Sequence, residues 1–283
     1  MTAAVAERRR VAPRPIARDA VGIGLRPAHY AAIAEAPPEV DFFEVIAENL
    51  LGRAGPARDH AAAVARRYPL VAHGVSMDLV GVEPIDEAHL AAFAALVRAH
   101  RMPWATDHLC WSASEGRHHH ELLPPPLLDE AVGWAADRIR RVQAALDVPF
   151  GVENVSSYVA WGDDEMPEWT FLRRVVEAAD CGVLLDLNNV VVSAHNQAFS
   201  PLDYLDAVPW DRVLEVHLAG HEARPDGLRH DTHDRAVDDE VWALYAEAWR
   251  RGGPFPTLVE WDDAIPALDV VVAEARRARA IRR

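Results

Sequence analysis

Six short apolar runs in this sequence end in a side chain that can bind a metal. Val71-Ala72 leads into His73, Ala105-Thr106 into Asp107-His108, and Gly151-Val152 into Glu153. Leu184-Leu185 leads into Asp186, Leu214-Glu215-Val216 into His217, and Leu258-Val259 into Glu260. Imidazoles and carboxylates are the usual ligands of non-haem iron, manganese and zinc. One such residue at the end of an apolar run is more often a loop hydrogen-bonder or a helix cap. Six in register are harder to explain that way, because ionisable groups buried together are costly unless they pair or bind cations. Carboxylates alone repel one another and imidazoles bring no negative charge, and a multivalent cation relieves both conditions.

Two loops add candidates. His195 follows the sixth run, and His230-Asp231-Thr232-His233-Asp234 follows the seventh. The second segment is dense enough to supply more than one ligand. The triplet His118-His119-His120 is a weaker candidate, because consecutive side chains do not converge on one ion. Cys110 and Cys181 are isolated and no Cys-x-x-Cys occurs, which argues against a structural zinc or an iron–sulfur cluster. No Gly-x-Ser-x-Gly elbow marks a serine hydrolase.

The elements that must aim these residues alternate. Eight β-rich runs are expected as strands: Gly22–Arg26, Phe42–Ala47, Leu70–Val75, Trp104–Leu109, Phe150–Glu153, Val183–Leu187, Val213–Leu218 and Thr257–Trp261. Ala/Leu/Arg-rich stretches between them predict helices, the clearest at Glu87–His100, Asp129–Leu146, Thr170–Ala179 and Asp238–Arg251. Regular β/α alternation argues for a parallel sheet, and eight units is the number that closes a barrel. The expected fold is therefore a single (β/α)8 TIM-type barrel. The six polar ends then gather at the C-terminal face of the strands, where this fold keeps its active sites. Gly22-Ile23-Gly24 lacks the third glycine of a dinucleotide-binding loop, so an open doubly wound sheet is a poorer fit. Ser112–Pro126 reads as one long irregular loop, and such loops are more often functional than idle.

The 283 residues suit one barrel and half of them are hydrophobic, enough for a large core. Net charge is −15, from 29 basic and 44 acidic residues, which disfavours nucleic acid as a partner. Two cysteines are too few for a disulfide framework. With no signal-peptide or membrane-span pattern either, a cytoplasmic, membrane-free protein is expected. Residues 1–20 are expected as a flexible N-terminal arm and 21–283 as the catalytic barrel.

Strings along the chain resemble a known family. They include Gly22-Ile23-Gly24-Leu25-Arg26, Glu44-Val45-Ile46-Ala47-Glu48-Asn49, His73-Gly74-Val75-Ser76 and Thr106-Asp107-His108-Leu109. Glu121-Leu122-Leu123-Pro124, Glu153-Asn154-Val155-Ser156-Ser157-Tyr158 and Asp186-Leu187-Asn188-Asn189 follow. His217-Leu218-Ala219-Gly220-His221, Asp231-Thr232-His233-Asp234 and Val259-Glu260-Trp261-Asp262 complete the series. In this order they are similar to the DUF692 or UPF0276 family, the multinuclear non-haem iron-dependent oxidative enzymes. The resemblance implies two or three iron ions in mixed Fe(II)/Fe(III) states, with O2 as co-substrate. It implies oxidation of a residue, often cysteine, in a ribosomally made precursor peptide, helped by a small leader-binding partner protein. Carried over by motif, His73, His108, Glu153, Asp186, His217 and Glu260 are the strand-end ligands, with Glu153 bridging two ions. Asn189, His195, Asp231 and His233 complete the set, and Glu153, Asp186, His217 and Asp231 carry the catalytic role. Asp107 and His221 are ligands or groups that orient one. The alternatives are a sugar-isomerase- or endonuclease IV-like barrel using zinc or manganese, and a non-catalytic metal- or partner-binding barrel.

Overall fold

The structure is a computed structural model and describes residues 12–52, 55–114, 117–162 and 165–282. Eight parallel strands form a closed barrel: β1 (Val21–Gly24), β2 (Phe42–Ile46), β3 (Leu70–Gly74), β4 (Ala105–His108), β5 (Phe150–Glu153), β6 (Gly182–Asp186), β7 (Val213–Leu218) and β8 (Thr257–Val259). Each strand pairs with the next in sequence, and β8 pairs back onto β1. The expected barrel is the one observed.

Alternation along the strands sorts the interior from the outside. Ile23, Phe43, Val45, Ala72, Val152, Leu185 and Val216 belong to the large core between strands and helices. Phe42, Val71, Trp104 and Leu258 form a separate apolar cluster, with Ala20 buried in it and Ile16 and Leu214 packed against it. That cluster fills the N-terminal end of the barrel.

Residues 12–20, expected as part of a flexible arm, are tied across this end. Arg14 N donates to Arg101 O at 2.9 Å, Arg101 Nε to Ala12 O at 2.8 Å, and Thr257 N to Ala20 O at 3.0 Å. The arm holds because Ile16 and Ala20 cap apolar side chains that water would otherwise reach. Residues 1–11 lie outside the described residues.

The helices follow from capping and amphipathic spacing. Asp86 caps Glu87–His100 by accepting from Ala88 N and His89 N, and the helix buries Leu90, Phe93, Ala94, Leu96 and Val97. Asp186 caps Leu187–Gln197, which starts where the sixth strand was expected to continue. Asp129–Gln143, Glu168–Ala179 and Asp239–Gly252 lie within three residues of expectation at each end.

Ser112–Pro126 is not an irregular loop. Trp111–Ser114 and Arg117–Leu123 pair as an antiparallel hairpin standing over the C-terminal mouth. Its inner strand is pinned by the buried carboxylate of Asp78, whose Oδ1 accepts from Ser112 N at 2.6 Å and Ala113 N at 3.1 Å. Arg138 donates to the Asp78 carbonyl at 2.7 Å, so the clamp is itself anchored to a helix.

Candidate metal centre

Alternation decides which polar side chains reach the barrel axis. His73 on β3, His108 on β4, Glu153 on β5, Asp186 on β6 and His217 on β7 all point inward, joined by Glu260 just past β8. All six are buried. Asp107 takes the opposite face of β4. Its carboxylate accepts from Met77 N and from His108 N, outside the centre.

The first group is His73, His108 and Glu153. Both Nε2 atoms face Glu153 Oε2, at 3.0 Å and 3.2 Å, and lie 3.3 Å from each other. Their protonation can be deduced. His108 Nδ1 lies 3.0 Å from Gly74 O, a carbonyl that only accepts, so this nitrogen carries the proton. His73 Nδ1 lies 2.8 Å from Thr106 Oγ1, whose own hydroxyl donates to Ala72 O, so His73 also donates from Nδ1. Two neutral imidazoles therefore aim lone pairs at a carboxylate oxygen, and three acceptors share one small space. Such an arrangement needs a cation. In the metal-free chain a proton takes that place. Burial disfavours it, but Glu44 and Glu153 outweigh burial and carry the His73 pKa up to about 10.

A second group lies beside the first, and the triad Glu153/Asp186/His217 links the two. Glu260 Oε2 lies 3.0 Å from His217 Nδ1 and 3.4 Å from His233 Nδ1, and Glu44 Oε2 lies 3.3 Å from His217 Nε2. Among the described residues, four triads of ligand atoms lie within 4.8 Å of one another: His73/His108/Glu153, Glu44/His217/Glu260, Glu153/Asp186/His217 and Asp186/His233/Glu260. Glu153, Asp186, His217 and Glu260 each belong to two of them. Shared carboxylates of this kind suit several neighbouring ions rather than one.

Electrostatics agree with that geometry. Burial opposes the charge on His217, yet Glu44 and Glu260 push its pKa well above the ordinary value. Burial likewise opposes the charge on His233, and Asp231 overrides it. Burial drives Asp186 well above the usual carboxylate range, while His233 pulls the other way. Buried ligand atoms without a hydrogen-bond partner include Glu44 Oε1, Asp186 Oδ2 and Asn189 Oδ1. Buried polar atoms are normally satisfied, so the unpaired oxygens on these inward-facing side chains are free to take a cation.

Asp186 both caps a helix and faces the centre. Its Oδ1 caps the helix by accepting from Asn189 N at 2.6 Å, and its Oδ2 is left for the centre. Asn189 Nδ2 donates to Asn154 O at 3.0 Å, which leaves Asn189 Oδ1 unpaired.

The loop after β7 reaches in because Gly220 has no side chain. A Cβ there would lie 2.3 Å from Ala236 O. His233 N donates to Gly220 O at 3.0 Å and Asp262 N to His233 O at 2.8 Å, holding His233 at a left-handed φ of 46°. Asp231 Oδ1 is then 2.7 Å from His233 Nε2. Asn189, Asp231 and His233 line the same cavity as His73, His108, Glu153 and Glu260. Its volume is about 250 Å³, and Glu121, Leu122, Tyr158 and His230 line it as well.

His195 is not brought to the centre. It is exposed, its Nε2 lies 2.9 Å from Gly227 O, and it borders a separate surface groove. His118 and His119 are exposed on the hairpin, with His119 Nε2 2.6 Å from Ser114 Oγ.

Three residues escape a search of run ends. Glu44 sits in the middle of β2, and only its alternation with Phe42 marks the inward face. Arg26 NH2 lies 3.2 Å from Glu260 Oε1 and 2.5 Å from Asp262 Oδ1, folding back over Gly24, where a Cβ would come within 2.8 Å of the guanidinium. Asp262 lines the cavity and lies 3.3 Å from His233 Nδ1.

A family profile described as RiPP precursor modification enzyme MbnB/TglH/ChrH matches residues 20–283. A UPF0276 protein of Anaeromyxobacter sp. is 45% identical over 257 residues, covering 91% of this chain and 90% of its own. One from Caulobacter vibrioides is 44% identical over 263 residues, covering 93% and 94%. Among solved structures, D-psicose 3-epimerase from Clostridium cellulolyticum superposes with a TM-score of 0.59 at 12% identity, covering 93% of this chain and 96% of its own. Endonuclease IV from Thermus thermophilus does so with a TM-score of 0.57 at 19% identity, covering 93% and 98%. Likeness at that identity is one of fold alone.

Proposed function

The chain belongs to the MbnB/TglH/ChrH family of RiPP precursor modification enzymes, and from that premise we propose what its centre holds and does. The centre takes two or three iron ions of mixed valence and uses O2 to oxidise a residue, a cysteine, of a ribosomally made precursor peptide. A small leader-binding protein presents the peptide. The observation that carries this reading is the interlocking of four ligand triads through shared residues. Iron bound there supplies Lewis acidity toward a thiol and the electrons that O2 chemistry needs.

The side chains divide the work. His73 and His108 would offer their Nε2 lone pairs, fixed by Thr106 and the Gly74 carbonyl, and Glu153, which belongs to two triads, would serve this position and its neighbour. Asp186 and His217, which form a triad with Glu153, would serve that second position together with Glu260, and Arg26 caps Glu260 Oε1 so that Oε2 stays turned inward. Asn189, Asp231 and His233 serve the open side. A cavity of about 250 Å³ admits a side chain but not a folded domain, which suits an extended peptide that inserts one residue. The hairpin contributes Glu121 and Leu122 to one wall, and Tyr158 and His230 stand across from the barrel floor.

The test is anaerobic iron loading followed by O2 in the presence of a cysteine-containing precursor peptide encoded beside the gene. Mass spectrometry should report a change in peptide mass that requires both iron and O2 and is lost in Glu153→Gln. An iron-loaded protein that leaves the peptide unaltered, or one that takes up zinc alone, rejects the oxidative reading. The isomerase- or endonuclease-like alternative has no specific observation in its favour, since its resemblance is limited to fold.

A further inference from the structure

His221, at the end of the His217-Leu218-Ala219-Gly220-His221 string, has no place in the ligand triads, yet it is buried at 6% exposure. Its Nδ1 lies 2.8 Å from Asn188 Oδ1 and 3.4 Å from Asp238 Oδ2. Asn188 is fully buried in the first turn of the helix Leu187–Gln197, and its Nδ2 donates to Asp231 Oδ1 at 2.7 Å.

Chemistry fixes the direction of this chain. An ionised carboxylate only accepts, so Asn188 turns its nitrogen to Asp231 and its oxygen to His221. That amide oxygen also accepts, so His221 donates from Nδ1. The Asp238 carboxylate beside the same nitrogen favours the same tautomer. The chain thus runs from Asp238, at the start of the helix Asp239–Gly252, through His221 and Asn188 to Asp231.

Asp231 has few other restraints on its carboxylate. Ser156 Oγ donates to Oδ2 at 3.2 Å, and His233 Nε2 lies 2.7 Å from Oδ1. Tyr158 holds the backbone rather than the side chain, its hydroxyl accepting from Asp231 N at 3.0 Å. With the Asn188 contact gone, one hydroxyl and one candidate ligand would remain to hold the carboxylate.

We propose that His221 is a positioning residue: by orienting the Asn188 amide it fixes the rotamer that keeps Asp231 turned toward His233, and so controls filling of the cation position that Asn189, Asp231 and His233 serve. This rests on the iron-centre reading above. Groups that orient ligands through hydrogen bonds typically change metal affinity by about 10- to 100-fold when removed.

The experiment is anaerobic titration of metal-free, full-length protein with ferrous iron, followed by Mössbauer spectroscopy, on wild type, His221→Leu and His221→Asn. The wild type is expected to fill every position. His221→Leu should weaken one ion by about 10- to 100-fold, with the spectra of the others unchanged. His221→Asn, which places an amide N–H near the former Nδ1–H, should restore most of the loss. A Leu variant that fills all positions at wild-type affinity overturns the proposal, as does an Asn variant no better than Leu. Should His221→Leu not fold by circular dichroism, Asn188→Leu in the same titration is read against the same two outcomes. A wild type that takes up no iron sinks the centre itself and this inference with it, whereas a fully loading wild type matched by His221→Leu sinks this inference alone.

Discussion

Arg117-His118-His119-His120 and His230-Asp231-Thr232-His233 are similarly rich in imidazole, yet the fold treats them differently. The first lies in a hairpin strand, where His118 and His119 are exposed. Successive side chains of a strand point to opposite faces, so neighbours there cannot share an ion. The second leaves regular structure after His230. Its turn through His233, at φ 46°, brings Asp231 and His233 to the same side. A non-glycine residue in that region costs of order 1–3 kcal/mol, and the hydrogen bonds to Gly220 and from Asp262 hold it there. Density of ligand-type residues matters less than the backbone that aims them.

The contrast can be broken most directly at His233. His233→Ala should lower iron uptake at one position and peptide turnover by at least about 100-fold, measured by metal analysis and mass spectrometry. Full iron content in that variant would place His233 with the exposed histidines.

A second, smaller effect comes from pH. In the metal-free chain burial opposes protonation of His73, but Glu44 and Glu153 hold its pKa at about 10 against an ordinary 6.5. A folded-state pKa above the unfolded one gives stability that is complete below pH 6.5 and is lost as pH rises through 10. Thermal melts of metal-free wild type should therefore fall across that window, and those of His73→Gln should fall less. Parallel curves would show that His73 is not the protonated member. Ferrous iron should raise the melting temperature of wild type, because it binds the folded centre and displaces that proton.

Asp78→Ala should come next. It strips two backbone amides of their acceptor at a buried position and is expected to cost about 2 kcal/mol in chemical denaturation. Limited proteolysis should cut the hairpin faster while iron content holds. Unchanged cleavage would mean that the hairpin does not depend on the clamp.

The smallest effects belong to the other half of the comparison. His118→Ala, His119→Ala and His195→Ala should leave iron stoichiometry at the wild-type value and stability within about 0.5 kcal/mol. Loss of an ion in any of them would overturn the division drawn here.

Much of this was legible because strand pleating is regular. Once His73, His108, Glu153, Asp186, His217 and Glu260 are placed at strand ends, a parallel barrel brings them together without further information. What stayed hidden depended on features that no run end displays. Glu44 reads as a polar interruption in Phe42-Phe43-Glu44-Val45-Ile46 until its inward face is recognised. His195 was misplaced because Leu187–Gln197 is a helix: six residues beyond Asn189 it sits roughly 120° round and about 9 Å further along the axis. The hairpin depends on Asp78, more than 30 residues upstream of Ser112, and contacts at that separation leave no local pattern. Arg26 contacts Glu260 only because β8 closes onto β1.

The apolar layer of Phe42, Val71, Trp104 and Leu258, with Ala20 and Ile16 beneath it, seals the base of the barrel. Among the described residues, arrivals and departures at the centre therefore share the doorway at the opposite end. Any small reactant must be inside before an inserted side chain closes that entrance, or must slip past it. Geometry at the threshold thus bears on the sequence of events within, and residues such as Leu122 and Tyr158 can affect turnover without touching a ligand atom.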